Sequence, residues 1–184
     1  MKNLGSFYFL IDNDVHNAIK YLKMAFNSGE LSAAWSLGNV YKSMTNVNKN
    51  NEYMAYEWML KAAQKNYLPA QFEVSMMLLN GEGVQANKIS SFDWLTKALK
   101  IHGNQNNIWV ELVKKELTSR YFFGVGVDAS FLEAQKIDSA YVMELVSSGM
   151  LSSHQIFQFA QNLEFDIKDL SQARDWYEKA AEKG

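Results

Sequence analysis

A six-residue string recurs along this chain and constrains its fold more than any other feature. It reads WMLKAA at 58–63, WLTKAL at 94–99 and WYEKAA at 176–181, with a weaker copy, YLKMAF, at 21–26. Successive copies begin 37, 36 and 82 residues apart, and 82 is twice 41. A spacing of this size is typical of stacked supersecondary units, none of which can bury its apolar face alone.

Apolar residues in and around each copy follow helical spacing. In the copy that contains Trp58 they recur every three or four residues: Met54, Ala55, Met59, Ala62 and Ala63. A second apolar period precedes it, so each unit is predicted as helix A, a loop and helix B. The pattern predicts an all-α fold without a sheet and a single repeat domain over 1–184. We expect about four to five units, with rough bounds 1–29, 30–66, 67–103, 104–149 and 150–184.

The glycines support these boundaries. Gly5 and Gly38 each follow a Leu inside a predicted A helix, where a missing side chain permits close contact with helix B. Two G-x-G-V sequences, at 81–84 and 124–127, are predicted as loops between helices A and B, and Pro69 falls in the first turn of an A helix. Left-handed residues that end B helices are predicted at Gly29, Asn66, Gly103, Gly149 and Gly184.

Several longer runs resemble a known family. GELSAAWSLGNVY (29–41), LLNGEGVQANKISSFDWLTKAL (78–99) and ARDWYEKAAEKG (173–184) are similar to Sel-one-like repeats (SLR), relatives of the tetratricopeptide arrays. The resemblance is weak over 104–148, the loop TNVNKNN (45–51) lacks glycine, and NLEFDIKD lacks G-x-G-V. The resemblance implies a right-handed α-solenoid that mediates protein–protein contacts and carries no catalytic residues.

Composition limits the classes of partner and compartment. The 184-residue chain has no Cys, which excludes disulfides and thiolate metal sites and is typical of a cytosolic protein. Its formal charge of −2 indicates no general attraction to nucleic acid or anionic membrane. No apolar run approaches the roughly 20 residues of a membrane helix. These features predict a cytoplasmic protein.

Two motifs resemble ligand sites but have simpler structural explanations. GEGVQA (81–86) and GVGVDA (124–129) match G-x-G-x-x-[GA], yet predicted helices precede them where a dinucleotide site needs a strand. DNDVHN (12–17) opens like a calcium loop, but Asn17 and Lys23 replace the required Gly and Glu. We expect Asn13 or Asp14 to cap a helix there.

The sequence contains no recognisable catalytic or metal-binding arrangement. His16, His102 and His154 are far apart, and none has a second ligand three or four residues away. Asp166 and Asp169 are expected at a loop and at a helix start, where they complement the helix dipole. We therefore predict no enzymatic activity, metal or cofactor.

The resemblance implies that A helices line a concave binding face. Candidate groove positions lie two residues before, two after and five after the Leu of each Leu–Gly pair, or its equivalent. They are Trp35, Asn39 and Lys42, then Phe72, Met76 and Leu79, then Lys115, Ser119 and Phe122, and last Gln155, Phe159 and Asn162. Alternatively, Trp35 and Phe72 pack between adjacent A helices.

Charge and the chain ends suggest the kind of partner. Residues 128–184 carry ten acids and five bases, whereas 1–127 carry ten acids and thirteen bases, so the C-terminal part favours a basic partner. Leu4, Gly5 and Tyr8 match the second half of an A helix, and repeat ends without a cap could bind a partner or a second copy.

The predicted function is a non-enzymatic protein-binding scaffold. The alternatives are an immunity protein that neutralises a bacterial toxin, and a regulatory subunit of an enzyme.

Overall fold

A computed structural model describes residues 1–44 and 50–184. These residues form helices and short connections without a strand, which confirms the all-α prediction. The glycine-free loop lies largely outside the described residues. The helices are α1 (Lys2–Leu10), α2 (Val15–Asn27), α3 (Leu31–Ser43), α4 (Asn50–Gln64), α5 (Leu68–Asn80), α6 (Lys88–His102), α7 (Ile108–Phe123), α8 (Phe131–Ser147), α9 (Ser153–Asn162) and α10 (Leu170–Lys183).

The chain divides into two compact units. Unit 1 comprises Met1–Val113 and unit 2 comprises Lys114–Gly184, so the division falls inside α7. In unit 1 the pairs α1–α2, α3–α4 and α5–α6 follow the predicted A–B order. The single repeat domain over 1–184 stays a prediction.

Small residues allow the helices of unit 1 to pack closely. Ala62 and Ala63 have no exposed surface, and Trp58 of the same string is only 8% exposed. A Cβ added to Gly38 would lie 2.7 Å from side-chain atoms of Met59, and one added to Gly5 would lie 2.7 Å from Leu22. The predicted close A–B contacts at both glycines are confirmed, because any side chain there would push the helices apart.

The lysine of each Trp-containing string covers the ring of its own tryptophan. The Nζ atom lies 4.2 Å from the ring centre for Lys61 on Trp58, 4.8 Å for Lys97 on Trp94 and 3.6 Å for Lys179 on Trp176. The three-residue spacing puts both side chains on one helix face. The string therefore stabilises the B helices, with a cation–π contact above each buried or half-buried ring.

Most predicted caps are confirmed. Gly29, Asn66, Gly149 and Gly184 have positive φ angles between 62° and 93°. Pro69 lies in the first turn of α5, and the side chains of Asp14 and Asp169 cap α2 and α10.

Two local predictions are wrong. Gly103 has φ −55°, since its N–H continues the helical pattern to the carbonyl of Leu99 and needs no left-handed turn. Asp166 lies in a π-helical turn over Leu163–Ile167 that extends α9, and not in an open loop.

Unit 2 is less regular than unit 1. Helix α8 is interrupted at Asp138, whose φ of −154° and ψ of 88° are not helical. The Asp138 carboxylate accepts a hydrogen bond of 2.9 Å from the N–H of Tyr141, so it caps the second half of α8 like a new helix start. The core beneath contains Phe122, Phe159 and Trp176, whose rings meet those of their neighbours edge to face.

Candidate protein-binding surface

Three aromatic side chains from successive A helices of unit 1 contact one another. Trp35 of α3 and Phe72 of α5 both meet Trp109 of α7, with ring centres 6.2 and 6.0 Å apart. Tyr67, just before α5, lies 6.4 Å from Trp35. We call these four residues the aromatic cluster. All four are half-buried, so each ring packs on its neighbours and still presents surface.

Trp35 and Phe72 thus have features of both alternatives, a groove position and packing between adjacent A helices. Both pack against rings from other helices or connections, as the packing alternative predicts. Neither is fully buried. One turn later on the same helix faces, Asn39 and Met76 are half-buried as well. These four side chains and Trp109 define the A-helix face of unit 1.

Sequence reasoning missed Trp109. The positions 35, 72 and 109 are 37 residues apart, which is the spacing of the first two strings. That spacing points to Trp109, whereas the fourth-unit candidates were counted from Leu117, with Tyr121 four residues later as Tyr41 is after Leu37. The count led instead to Lys115, Ser119 and Phe122, later in the same helix.

A pocket of about 340 Å³ opens beside the aromatic cluster, between α1 and α3. Its apolar wall includes Phe9, Leu22 and Val40, and its polar groups include Lys2 and Asn39. Trp35 also lines it, and the Trp35 Nε1 atom is buried without a hydrogen-bond partner among the described residues. A concave, mainly apolar site with few polar groups is suited to an anchoring side chain of a partner.

Lys42 has an internal role at the edge of this face. Its Nζ lies 3.3 Å from Glu73 of α5 and 3.5 Å from Glu82 in the G-x-G-V loop. Burial lowers the pKa of Lys42, but the two carboxylates outweigh it and raise the pKa above its ordinary value. Lys42 therefore links α3 to the next repeat and stays charged. Leu79, the last candidate of α5, is half-buried.

The candidates in unit 2 do not form a comparable apolar surface. Phe122 and Phe159 are 3% and 0% exposed, so neither side chain is available to a partner in this structure. Lys115 lies over the ring of Tyr141, and the Ser119 hydroxyl donates to the Tyr141 hydroxyl oxygen.

Two further candidates in unit 2 take part in local hydrogen bonds. Gln155 forms a capping box with Ser152 at the start of α9. The amide of Asn162 donates to Asp166. The Gln155 side chain and the amide N–H of Asn162 are therefore engaged within unit 2, whereas the Asn162 Oδ1 atom is buried without a partner among the described residues.

The glycine loop at 81–84 serves packing between repeats. A Cβ on Gly83 would lie 2.1 Å from the carbonyl oxygen of Glu52, so this loop rests directly on the start of α4. Helix α5 precedes the loop and α6 follows it, without the strand of a dinucleotide site.

Over 1–44 and 50–184, no group of three or more His, Cys, Asp or Glu side chains is arranged to hold a metal ion. No helix in the described part of the chain has both the length and the apolar character required to span a membrane.

Two solved structures are similar to this chain. One is c5321, described as a protective antigen present in uropathogenic Escherichia coli strains and displaying an SLR fold, at 26% identity and a TM-score of 0.66. The match covers 98% of this chain, which spans 37% of the length of c5321. The second is a Sel1 repeat protein from Oxalobacter formigenes, at 22% identity and a TM-score of 0.62, covering 100% of this chain and 72% of the other. The predicted α-solenoid of stacked helix-turn-helix repeats is confirmed at the level of fold class.

Sequence comparison identifies the repeats themselves. No curated protein matches the chain. The Sel1 repeat model matches residues 2–30, 31–67, 68–100 and 165–184, and it omits the stretch that includes the weak region 104–148. Because these matches take in more than half of its residues, the chain belongs to the Sel1 repeat family.

Proposed function

We propose that this chain binds a protein partner on the A-helix face of unit 1. Sel1 repeats are typically protein–protein interaction scaffolds, and that general role is the starting point. The observation that carries the proposal is the aromatic cluster: half-buried tryptophan and phenylalanine rings beside a largely apolar pocket. Partly exposed aromatic side chains that are already held in place are typical anchors of protein interfaces.

Rigid packing makes these rings effective anchors. Trp109 meets Trp35 edge to face, at an interplanar angle of 83°, so both indoles are held in place before a partner arrives. A partner then loses little extra side-chain entropy on that surface, which leaves more of the burial free energy for binding.

Site-specific photo-crosslinking tests this proposal. A benzophenone amino acid is placed at Asn39 or Met76 on the A-helix face, or at Thr96 on α6 as the control. We expect the first two positions to capture the same partner in source cells and Thr96 to capture none. Equal capture from all three positions, or no capture from the A-helix face, would contradict the proposal. An enzyme as partner would instead favour the regulatory-subunit alternative, and a second copy of this chain would show self-association.

Substitution then separates binding from folding. We expect Trp35→Ala with Phe72→Ala to weaken partner binding while circular dichroism shows nearly unchanged helicity. Because both rings also pack on Trp109, loss of helicity would assign them to the core. Asn39→Arg is a second variant, since it blocks the face without removing a ring and should weaken binding alone.

An inhibitor of a basic toxin is a second candidate function. It is supported by the charge of unit 2, whose sequence contains eleven acidic and eight basic residues. Such an imbalance attracts a basic protein and accelerates its association. A toxin encoded beside this chain, neutralised on mixing at equal concentration, would support it. Full toxin activity in the mixture would exclude that toxin as the target.

A cytoplasmic location is proposed on the absence of cysteine.

A further inference from the structure

The last connection between helices differs from the two G-x-G-V loops at 81–84 and 124–127. Residues 163–170, here the acidic connection, form a π-helical turn that ends in a left-handed residue, Lys168, with φ 62°. Leu163 is 2% exposed and anchors the turn, and its carbonyl accepts a hydrogen bond of 2.8 Å from the N–H of Asp169. The connection is therefore held by defined contacts at both ends.

Apolar side chains of this connection extend into solvent. Phe165 is 66% exposed, Leu170 is 67% exposed and Ile167 is 36% exposed. The Cα atoms of Phe165 and Leu170 can be at most about 18 Å apart, because the two residues lie only five positions apart in the chain. A single exposed apolar side chain is ordinary, whereas three within six residues concentrate exposed apolar area in one segment, as interaction sites do.

Carboxylates are interleaved with these apolar side chains, and neutral groups hold them. Glu164 accepts a hydrogen bond of 2.7 Å from the Tyr177 hydroxyl, and Asp166 accepts one from the amide of Asn162. Asp169 caps α10 and accepts from the N–H of Gln172 at 3.1 Å. Across the described residues, no Lys, Arg or His side chain forms an ion pair with any of the three. Their positions are set without an ion pair among the described residues, and with Lys168 counted residues 163–170 carry a net charge of −2 (three acids, one base).

The exposed apolar side chains and the carboxylates together indicate what kind of partner the acidic connection can bind. An apolar partner segment alone would leave the carboxylates facing low-dielectric surface, and a purely basic one would leave Phe165 and Leu170 in water. We infer that the acidic connection is a docking surface for a basic amphipathic segment of a protein partner. Apolar side chains of that segment cover Phe165 and Leu170, and its Lys or Arg side chains meet the three carboxylates. This surface belongs to unit 2 and shares no residue with the A-helix face of unit 1.

A pair of model peptides tests the inference on the full chain. The probe is a fluorescent helical peptide of Leu and Lys at amphipathic spacing, and its matched partner carries Glu in place of Lys. By anisotropy at about 50 mM salt, we expect the Lys peptide to bind about tenfold more tightly than the Glu peptide. At about 300 mM salt the difference should shrink, because exposed charges are screened.

Variants locate the binding. We expect Phe165→Ser with Leu170→Ser to weaken the Lys peptide about fivefold, and Glu164→Gln with Asp166→Asn to remove most of its salt dependence. The control is Ile89→Ser with Asp93→Asn on α6, which removes the same kinds of exposed group. Native-like affinity in the acidic-connection variants, or an equal loss in the control, would overturn the inference. Loss in the Trp35→Ala, Phe72→Ala variant alone would do the same, since it would place the peptide on the A-helix face.

Discussion

Units 1 and 2 carry the same B-helix string but differ in what surrounds it. In unit 1 three A–B pairs follow one another at near-constant spacing. The sequence of unit 1 contains ten basic and nine acidic residues. In unit 2 one helix is interrupted at Asp138, a π-helical turn replaces a glycine loop, and the acids outnumber the bases by three. The B-helix string thus tolerates large changes in its neighbours.

Burial of equivalent residues shows why. Ala62 and Ala180 occupy the same position of the string and are 0% and 6% exposed, so both are buried. Trp58 and Trp176 are also both buried, yet Trp58 meets Phe26 of α2 and Trp176 meets Phe159 of α9. In these two copies the tryptophan packs closely against an aromatic ring, and the ring comes from a different helix in each.

The largest expected effect separates core from surface in unit 2. Phe159→Ala removes a ring with no exposed area and should lower the free energy of unfolding by about 3–5 kcal/mol. The control Phe157→Ala removes a ring that is 43% exposed and packs on Tyr177, so we expect about 1 kcal/mol. Hydrogen exchange should accelerate in α9 and α10 more than in α3 to α5. Uniform acceleration throughout would show that the two units unfold together.

The next effect compares the two kinds of connection. Gly83→Ala should cost about 3 kcal/mol, since a left-handed Ala is strained and its Cβ meets the carbonyl oxygen of Glu52. Gly81→Ala has the same left-handed strain but no such clash, so about 1–2 kcal/mol is expected. In unit 2, Lys168→Gly relieves the strain and should stabilise by about 0.5 kcal/mol. Urea unfolding measures all three, and equal costs at Gly83 and Gly81 would argue against the tight contact.

The smallest effect concerns tyrosine ionisation. The hydrogen bond to Glu164, with burial and the charge of Glu164, raises the pKa of Tyr177 to about 12. The stabilisation is therefore present below the ordinary Tyr pKa and is lost as pH rises through about 12. In unit 1 burial alone raises the pKa of Tyr41 and Tyr67.

Ultraviolet titration of phenolate checks this difference. Tyr177→Phe should remove a phenol that ionises near pH 12. Glu164→Gln should lower the pH at which Tyr177 ionises, and it should leave the tyrosines of unit 1 unchanged. An unchanged titration in Glu164→Gln would show that burial, and not the carboxylate, controls Tyr177.

Local signals predicted much of the fold. The recurring string, the Leu–Gly pairs and most caps depend on contacts within one helix or between adjacent helices, and spacing reveals these. The prediction of a left-handed Gly103 was wrong because a right-handed residue can also donate its N–H to the carbonyl of Leu99. The π-helical turn has no distinct residue pattern, so it was expected as a loop.

The candidate surface was only partly predictable. Trp35 and Phe72 were identified from their helix positions, and Trp109 could have been found from the 37-residue spacing. Phe122 and Phe159 could not be assigned, since an aromatic residue at a given helical position can face either the core or a groove. The burial of Phe159 in unit 2 depends on how α8 and α10 pack against α9, and the residue spacing within α9 does not predict that packing.

The sequence by itself determined the fold class, the A–B order and the family, because helical periodicity and capping act over a few residues. Only the tertiary structure decided which aromatic rings meet, which carboxylates stay without a cation and which predicted groove residues are core. Those outcomes depend on contacts between residues far apart in the chain, and the repeat pattern constrains them only where the repeat is regular.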